Sequence, residues 1–227
     1  MRRYEDTYLH KGLRKQLITY LREVRGLRDD RVLEAMNQVP RHFFLDSAFD
    51  RIAYDDRAFP IGEGQTISQP YTVAYQTQLL EVKHTDSILE IGTGSIYQAS
   101  VLAAMGADVF TIERQRKLFD AQQHFPLRDR FPNIHFFYGD GYQGLPDYAP
   151  FDKIIITAAA PYIPEKLMAQ LKVGGKMVLP VQDEDTYQTM MRITKNDDGT
   201  WEEETYEHFS FVPMLEGSSD REGSAAY

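Results

Sequence analysis

Apolar positions recur along this chain in three different rhythms. Leu9, Leu13, Leu17, Leu21 and Val24 fall on one face of a helix over residues 7–25, and Gly26 closes the run. Asp29 or Asp30 can cap a second helix with Val32, Leu33 and Met36 inward, and Pro40 stops it. From residue 70 the pattern changes to short, near-continuous apolar runs alternating with helical stretches. Helices are expected over 70–82, from 96, from 115 and over 164–171. Strands are expected at 88–91, 108–113, 134–140, 153–159 and 176–181. Strands of that kind, separated by helices, predict a mostly parallel sheet covered on both faces. Two more strand patterns, 186–194 and 206–214, flank the polar turn "KNDDGT" and predict an antiparallel hairpin.

Residues 41–70, "RHFFLDSAFDRIAYDDRAFPIGEGQTISQP", follow none of these rhythms. They are aromatic-rich, broken by Gly and Pro, and too apolar for a disordered linker. Long ordered loops of this sort usually cover a functional site. The reading is one unit over 1–217: a cap at 1–69, a Rossmann-like core at 70–182 and C-terminal strands at 183–217. The small, polar tail, residues 218–227 in that division, is expected to fray.

Composition narrows the functions open to this fold. The 227 residues suit a single domain, and 25 basic against 34 acidic residues leave a charge of −9. That field disfavours nucleic acid as a partner. The basic stretch 11–31 alternates charge with leucine and reads as a solvated helix face. There is no cysteine, and the six histidines are scattered without a His-x-x-x-His pair, so no metal site is expected. No signal core or spanning run is seen, and a cytoplasmic monomer without membrane contact is the simplest expectation.

In open α/β sheets, ligands sit beyond the carboxyl ends of the strands. After the first core strand stand Glu90, Gly92, Thr93, Gly94 and Ser95, a tight loop whose backbone can approach a ligand. Glu113 ends the next strand about 20 residues on, where an acid can accept both ribose hydroxyls. The position three after Gly94 is Tyr97, so the pyrophosphate fingerprint fails, and a nicotinamide cofactor is disfavoured. A cofactor with a ribose and no phosphates fits better, S-adenosylmethionine above all. Asp140 and Gly141 follow the third strand, where an Asp-Gly turn alone would also explain them. Thr157 begins the small-residue stretch "TAAAP" after the fourth strand.

With these pieces in order, the sequence resembles the protein-L-isoaspartate (D-aspartate) O-methyltransferase family over about residues 10–217. The resemblance rests on "RVLEAMNQVPRHFF", "AYDDRAFPIGEGQTISQPYTVA", "ILEIGTGS", "GDGYQGLP", "FDKIIITAAAP", "LKVGGKMVLPVQ" and "FVPMLEG"; "GQTISQP" is its most specific segment. It implies an α/β class I S-adenosylmethionine-dependent methyltransferase fold. That fold is a Rossmann-like, mostly parallel seven-stranded sheet with added N-terminal helices and a C-terminal hairpin. It implies methylation of the free α-carboxyl of L-isoaspartyl and D-aspartyl residues in damaged proteins and peptides, leaving S-adenosyl-L-homocysteine. Carried over by residue, the active-site serine is Ser68, and Glu90 to Ser95 form the cofactor loop. Glu113 is the ribose acid, and Asp140 and Gly141 lie on the adenine side. Thr157, Gln182, Val212 and Pro213, with Ile67 and Gln69 beside the serine, match the active-site region or peptide cleft.

Two questions pass to the structure. Ser68 precedes "PYTVAYQ" and can equally be a helix N-cap. Ile96 stands where the family loop carries glycine. A helical backbone is expected at Ile96, with a retained but weakened cofactor site that Ile96→Gly would tighten. The alternatives are a catalytically weakened or non-catalytic relative, or a methyltransferase for a different carboxylate.

Overall fold

The computed structural model describes residues 4–125, 127–182 and 187–219. Helices α1 (Tyr8–Glu23) and α2 (Asp30–Gln38) open the chain. Thr7 caps α1 by accepting from the His10 amide, and Asp29 caps α2 by accepting from the Arg31 amide at 2.9 Å. Gly26 takes the left-handed conformation that ends the first helical segment. Two 3₁₀ turns follow, Arg41–Phe44 and Ser47–Phe49. The long cover then contains a small hairpin that the apolar pattern did not show: β1 (Phe59–Gly62) pairs antiparallel with β2 (Gln65–Ile67). Gly62, Glu63 and Gly64 all have positive φ in its turn, which glycine accepts without a Cβ clash.

Helix α3 (Pro70–Leu80) is buried almost all round, so its sequence has little amphipathic period. The core then runs β3 (Ser87–Ile91), α4 (Tyr97–Ala104), β4 (Asp108–Glu113), α5 (Arg116–Gln123), β5 (Ile134–Tyr138), β6 (Phe151–Ile156), α6 (Glu165–Ala169), β7 (Leu171–Gln182), β8 (Gln188–Lys195) and β9 (Trp201–Phe209). The seven-stranded sheet has the order β5-β4-β3-β6-β7-β8-β9, parallel through β7 and antiparallel after it. The mostly parallel seven-stranded α/β architecture thus matches the expected fold.

Side chains along each parallel strand alternate between two cores. Ile88, Ile155 and Val178 join Leu21, Met36, Leu80 and Leu102 on the face covered by α1–α4. Leu89, Ile91, Ile154, Ile156 and Leu179 join Leu167 and Met168 on the other. Strand β3 pairs with β4 on one side and β6 on the other, and the crevice between the carboxyl ends of these strands opens above β3.

The last strand departs from its expected place, residues 206–214. It is Trp201–Phe209, in register with β8 from Lys195↔Trp201 to Gln188↔Phe209. The acidic run Glu202–Glu204 hid it, because a solvent-facing edge strand needs no apolar alternation. Residues 212–214 leave the sheet instead. Val212 accepts from the Ala159 amide (2.8 Å) and Met214 donates to the Ala159 carbonyl (2.7 Å), which lays this segment over the crevice. Beyond it, the Ser219 amide donates to the Arg114 carbonyl (2.9 Å). Residues 220–227 of the expected tail lie outside the described residues.

The start of α3 is capped across the chain. Asp56 Oδ1 accepts from the Tyr71 amide (2.8 Å), and Oδ2 faces Arg25 Nη1 (3.4 Å). Asp56→Ala should therefore cost about 1–2 kcal/mol in urea unfolding, the usual value of a lost cap.

Candidate active site

Three left-handed residues shape the loop between β3 and α4: Gly92 (φ 98°), Gly94 (φ 49°) and Ile96 (φ 72°). At Gly92 a Cβ would stand 2.6 Å from Thr157 Oγ1, whose hydroxyl donates to the Gly92 carbonyl at 2.8 Å. That contact locks the β3 and β6 ends together and requires glycine there. The helical backbone expected at Ile96 is not found. Its amide closes a turn onto the Thr93 carbonyl (2.9 Å), and its carbonyl accepts the first helical hydrogen bond, from Ser100 (2.9 Å). Closing that turn ahead of α4 uses φ > 0, which strains a β-branched residue by about 1–3 kcal/mol. The Ile96 side chain is 4 % exposed and joins the core on the α1–α4 face, beside Phe44 and Phe125. It turns away from the crevice, so it does not crowd a ligand there.

Two acids sit beneath the loop. Glu113 accepts from the Gly94 amide (2.9 Å) and the Gln115 amide (2.8 Å), so one carboxylate fixes both the loop and the start of α5. Burial raises its pKa, against the hydrogen bonds that hold it down. Glu90 is fully buried; Thr111 donates to its Oε2 and in turn meets the Thr93 hydroxyl at 2.7 Å. Its Oε1 has no hydrogen-bond partner among the described residues. Burial pushes Glu90 up to about 8, with the nearby Glu113 adding to the rise, so the carboxyl is protonated at neutral pH.

A cavity opens above the loop. It brings together Ile67, Ser68, Gly92, Thr93, Gly94, Ser95, Glu113, Gly141, Thr157, Val212 and Pro213 of the residues expected at the site. Glu90 lies beneath it rather than in its wall. Asp140 is also outside the wall; its Oδ1 accepts from the Tyr142 amide (2.9 Å), as in an Asp-Gly turn, and leaves Gly141 to face the cavity. Gln182 lines neither this cavity nor the next, and its side chain bonds the Tyr187 carbonyl (3.1 Å) and Gln188 (3.3 Å) at the sheet end.

A second cavity adjoins the first and contains Gln69. Thr66, Ser68, Thr157 and Val212 line both, so they form the wall between them. Gln69 occupies the N-cap position of α3 without a side-chain cap, and Asp56 caps the helix instead. The Ser68 hydroxyl is thus free of the capping duty its sequence position suggested. Arg25, Tyr71 and Glu207 also line the second cavity. The Arg25 guanidinium lies 3.5 Å from the Tyr71 ring centre, and the Tyr71 hydroxyl donates to Glu207 (2.9 Å). These were not legible as site residues. Arg25 sat in a stretch read as a solvated face, where Arg14 is also buried, against Asp6 (2.9 Å) and Tyr54 (3.0 Å). Glu207 lay in a strand expected at 206–214 and found at Trp201–Phe209.

Histidines scattered in sequence meet in space. The ligand atoms of Asp6, His10 and His42 all lie within 4.8 Å of one another. Their donors are committed, however. Arg14 holds both Asp6 oxygens, and His42 bonds Tyr54 through Nδ1 (2.8 Å) and the Glu5 carbonyl through Nε2 (3.3 Å). Burial, with His10 stacked beside it, lowers His42 to about 4. A neutral His42 suits these two bonds and leaves no lone pair for a metal.

The first cavity suits a nucleoside joined to an amino acid. Its lining combines glycine backbone, the Glu113 carboxylate and the apolar side chains of Ile91, Ile112 and Met214. Arg114, in the same wall, donates from Nε to the Gly217 carbonyl (3.0 Å). No helix among the described residues is long and apolar enough to cross a membrane.

The chain is similar to known proteins along most of its length. A family model described as protein-L-isoaspartate (D-aspartate) O-methyltransferase matches residues 12–219. A protein-L-isoaspartate O-methyltransferase of Flavobacterium johnsoniae is 53 % identical over 213 residues, covering 93 % of this chain and 98 % of its own. One from Cytophaga hutchinsonii is 53 % identical over 211 residues, covering 93 % and 94 %. Among solved structures, a protein-L-isoaspartate O-methyltransferase aligns with a TM-score of 0.79 at 27 % identity, over 88 % of this chain and 65 % of that one; the chain thus spans about two thirds of that protein. A Plasmodium falciparum structure of the same description, in complex with S-adenosyl-L-homocysteine, aligns with a TM-score of 0.75 at 26 % identity, over 91 % and 98 %.

Unfolded, Glu90 ionises near 4.5; folded, it keeps its proton to about 8. The folded state therefore binds the extra proton between these limits, and stability is lost as pH rises from 4.5 through 8. Glu90→Gln should remove that loss. In thermal unfolding of the free protein its advantage over wild type should grow from pH 5 to pH 8, reaching about 3 kcal/mol near neutrality. Ile96→Gly should relieve the backbone strain but lose a buried side chain and leave a cavity, together worth about 2–5 kcal/mol. A net loss of stability, with S-adenosylmethionine affinity within about twofold of wild type by calorimetry, is expected.

Proposed function

The chain belongs to the protein-L-isoaspartate (D-aspartate) O-methyltransferase family, and on that premise we infer that it is a protein-repair enzyme. It moves a methyl group from S-adenosylmethionine to the free α-carboxyl of L-isoaspartyl and D-aspartyl residues in damaged proteins and peptides. The observation that carries this reading is the shared wall. Ser68, Thr66, Thr157 and Val212 separate a cavity suited to the cofactor from a cleft open to a peptide.

Glu113 and the loop from Gly92 to Ser95, with Gly141 and Thr157, would hold the cofactor. Neutral Glu90 braces the loop from below through Thr111 and Thr93, and Asp140 acts by shaping the Gly141 turn. When bound, S-adenosylmethionine supplies a methyl group already activated by its sulfonium. The acceptor is a carboxylate with an ordinary pKa of about 3.5, ionised at neutral pH, so the chain has no proton to remove. Its task is alignment in a dry setting, with the reacting atoms about 3–3.5 Å apart. Ser68 donates a hydrogen bond that fixes the carboxylate. Such a bond slightly reduces nucleophilicity, so its benefit lies in orientation. Ile67, Gln69, Val212 and Pro213 flank the peptide, and the cover over residues 54–69 excludes water. The cap, core and C-terminal strands act as one unit, because each contributes to the wall.

Ile96 lends no support to a non-catalytic relative, since its side chain points into the core. An isoaspartyl peptide with methyl-labelled S-adenosylmethionine should yield base-labile ester. No label, with cofactor binding intact, would sink the substrate assignment. Ser68→Ala should lower kcat/KM about ten- to a hundredfold, the value of a hydrogen bond to a charged group, and leave cofactor affinity unchanged.

A further inference from the structure

The motif "VPRHFF" lines no part of the wall, yet its arginine reaches the wall from behind. Arg41 begins the 3₁₀ turn after Pro40 and is fully buried. Its Nε donates to the Ala53 carbonyl (3.0 Å), and its Nη2 donates to the carbonyls of Ser68 (2.7 Å) and Arg57 (3.4 Å). Those carbonyls lie at the beginning, inside and end of the strap 53–68, which carries the β1–β2 hairpin and Ser68. The guanidinium also stands 5.0 Å from the ring centre of Tyr97, the first residue of α4 after the glycine loop. One side chain thus joins the strap under the peptide cleft to the helix that starts beside the cofactor cavity.

The charge on this side chain is not needed for packing. Among the described residues no carboxylate forms an ion pair with Arg41, and its Nη1 has no hydrogen-bond partner. Asp56, whose field it feels, is engaged by Arg25 and the Tyr71 amide. Burial lowers Arg41 to about 10, which still leaves it charged at neutral pH. A buried cation without a counter-ion is destabilising. The missing counter-ion has a natural source: the substrate brings a carboxylate to Ser68.

We propose that Arg41 is a positioning residue for the methyl acceptor: it clamps the strap so that Ser68 meets the junction of the two cavities, and its uncompensated charge draws the acceptor carboxylate there. The carboxylate part rests on the isoaspartyl reading of the site; the clamp does not.

Arg41→Lys and Arg41→Met in the full chain separate these parts. Both should exchange the strap amides about tenfold faster in deuterium-exchange mass spectrometry, because three carbonyl anchors are lost or reduced. Both should keep the S-adenosylmethionine Kd within about threefold by calorimetry, since Arg41 does not line that cavity. With an isoaspartyl peptide, Arg41→Met should lose about thirtyfold or more in kcat/KM, chiefly through KM, while Arg41→Lys recovers KM and not kcat. Wild-type exchange in a folded variant overturns the clamp, and a wild-type KM in Arg41→Met overturns the electrostatic role. Should Arg41→Met fail to fold, Arg41→Lys decides: wild-type exchange and kcat in it overturn the proposal. If the wild-type protein binds cofactor but methylates no isoaspartyl peptide, the substrate reading fails, and the exchange result still decides the clamp.

Discussion

Parallel hydrogen bonding on both sides of β3 determines where chemistry can occur in this molecule. With β4 on one flank and β6 on the other, the connections leaving β3 and its two neighbours must diverge, and a crevice opens where they part. Each neighbour then sends one side chain across to fix the glycine loop. Glu113, at the end of β4, takes the Gly94 amide; Thr157, after β6, takes the Gly92 carbonyl. The loop is held by the sheet itself, so its shape survives the strain of a left-handed isoleucine. Packing behind Ile96 supplies the rest, because its side chain is buried with the aromatic residues of the cap.

A crevice held this way can tolerate groups that are costly to bury. Glu90 stays in the core as a neutral acid, and Glu113 keeps hydrogen bonds to two amides. Arg41 stays as a cation against three carbonyls. Glu90 and Arg41 lie one layer behind the cavity walls, while Glu113 reaches into the wall itself. Glu113 and Arg41 act by holding backbone, and Glu90 acts through the Thr111 and Thr93 hydroxyls. Removing one therefore has consequences at a distance, through a loop or a strap, that its own exposure would not suggest.

The sheet was legible because fully buried parallel strands must be continuous apolar runs; β4 spans the residues its pattern marked, Asp108–Glu113. The loop at Gly92 and the acid Glu113 were legible because each follows such a strand. What escaped the sequence has physical reasons. Strand β9 is polar because it is a half-wet edge. Hairpin β1–β2 is too short for a period. The backbone at Ile96 is set by a turn that must close before α4 can begin, which overrides the preference of a β-branched residue. Arg14 and Arg25 looked like part of a solvated face because their partners, Asp6, Tyr54, Asp56 and Tyr71, lie outside that stretch. Periodicity carries no information about pairings between distant parts of the chain.

Ser68 shows how a structural duty and a chemical one can be separated. Its place before Pro70 suits an N-cap, and a serine serving as one would turn its hydroxyl onto the helix amides. Asp56 reaches in from the cover and takes the Tyr71 amide, so the helix is satisfied without the serine. The serine's carbonyl is engaged too, by Arg41 from below. With its backbone held on one side and the neighbouring helix capped from elsewhere, Ser68 keeps a hydroxyl with no structural obligation among the described residues. It stands in the wall that both cavities share. The long cover, which looks in sequence like an irregular connection, supplies both the cap and the serine. That is why it must be ordered, and why its aromatic and charged residues are spent on anchoring rather than on secondary structure.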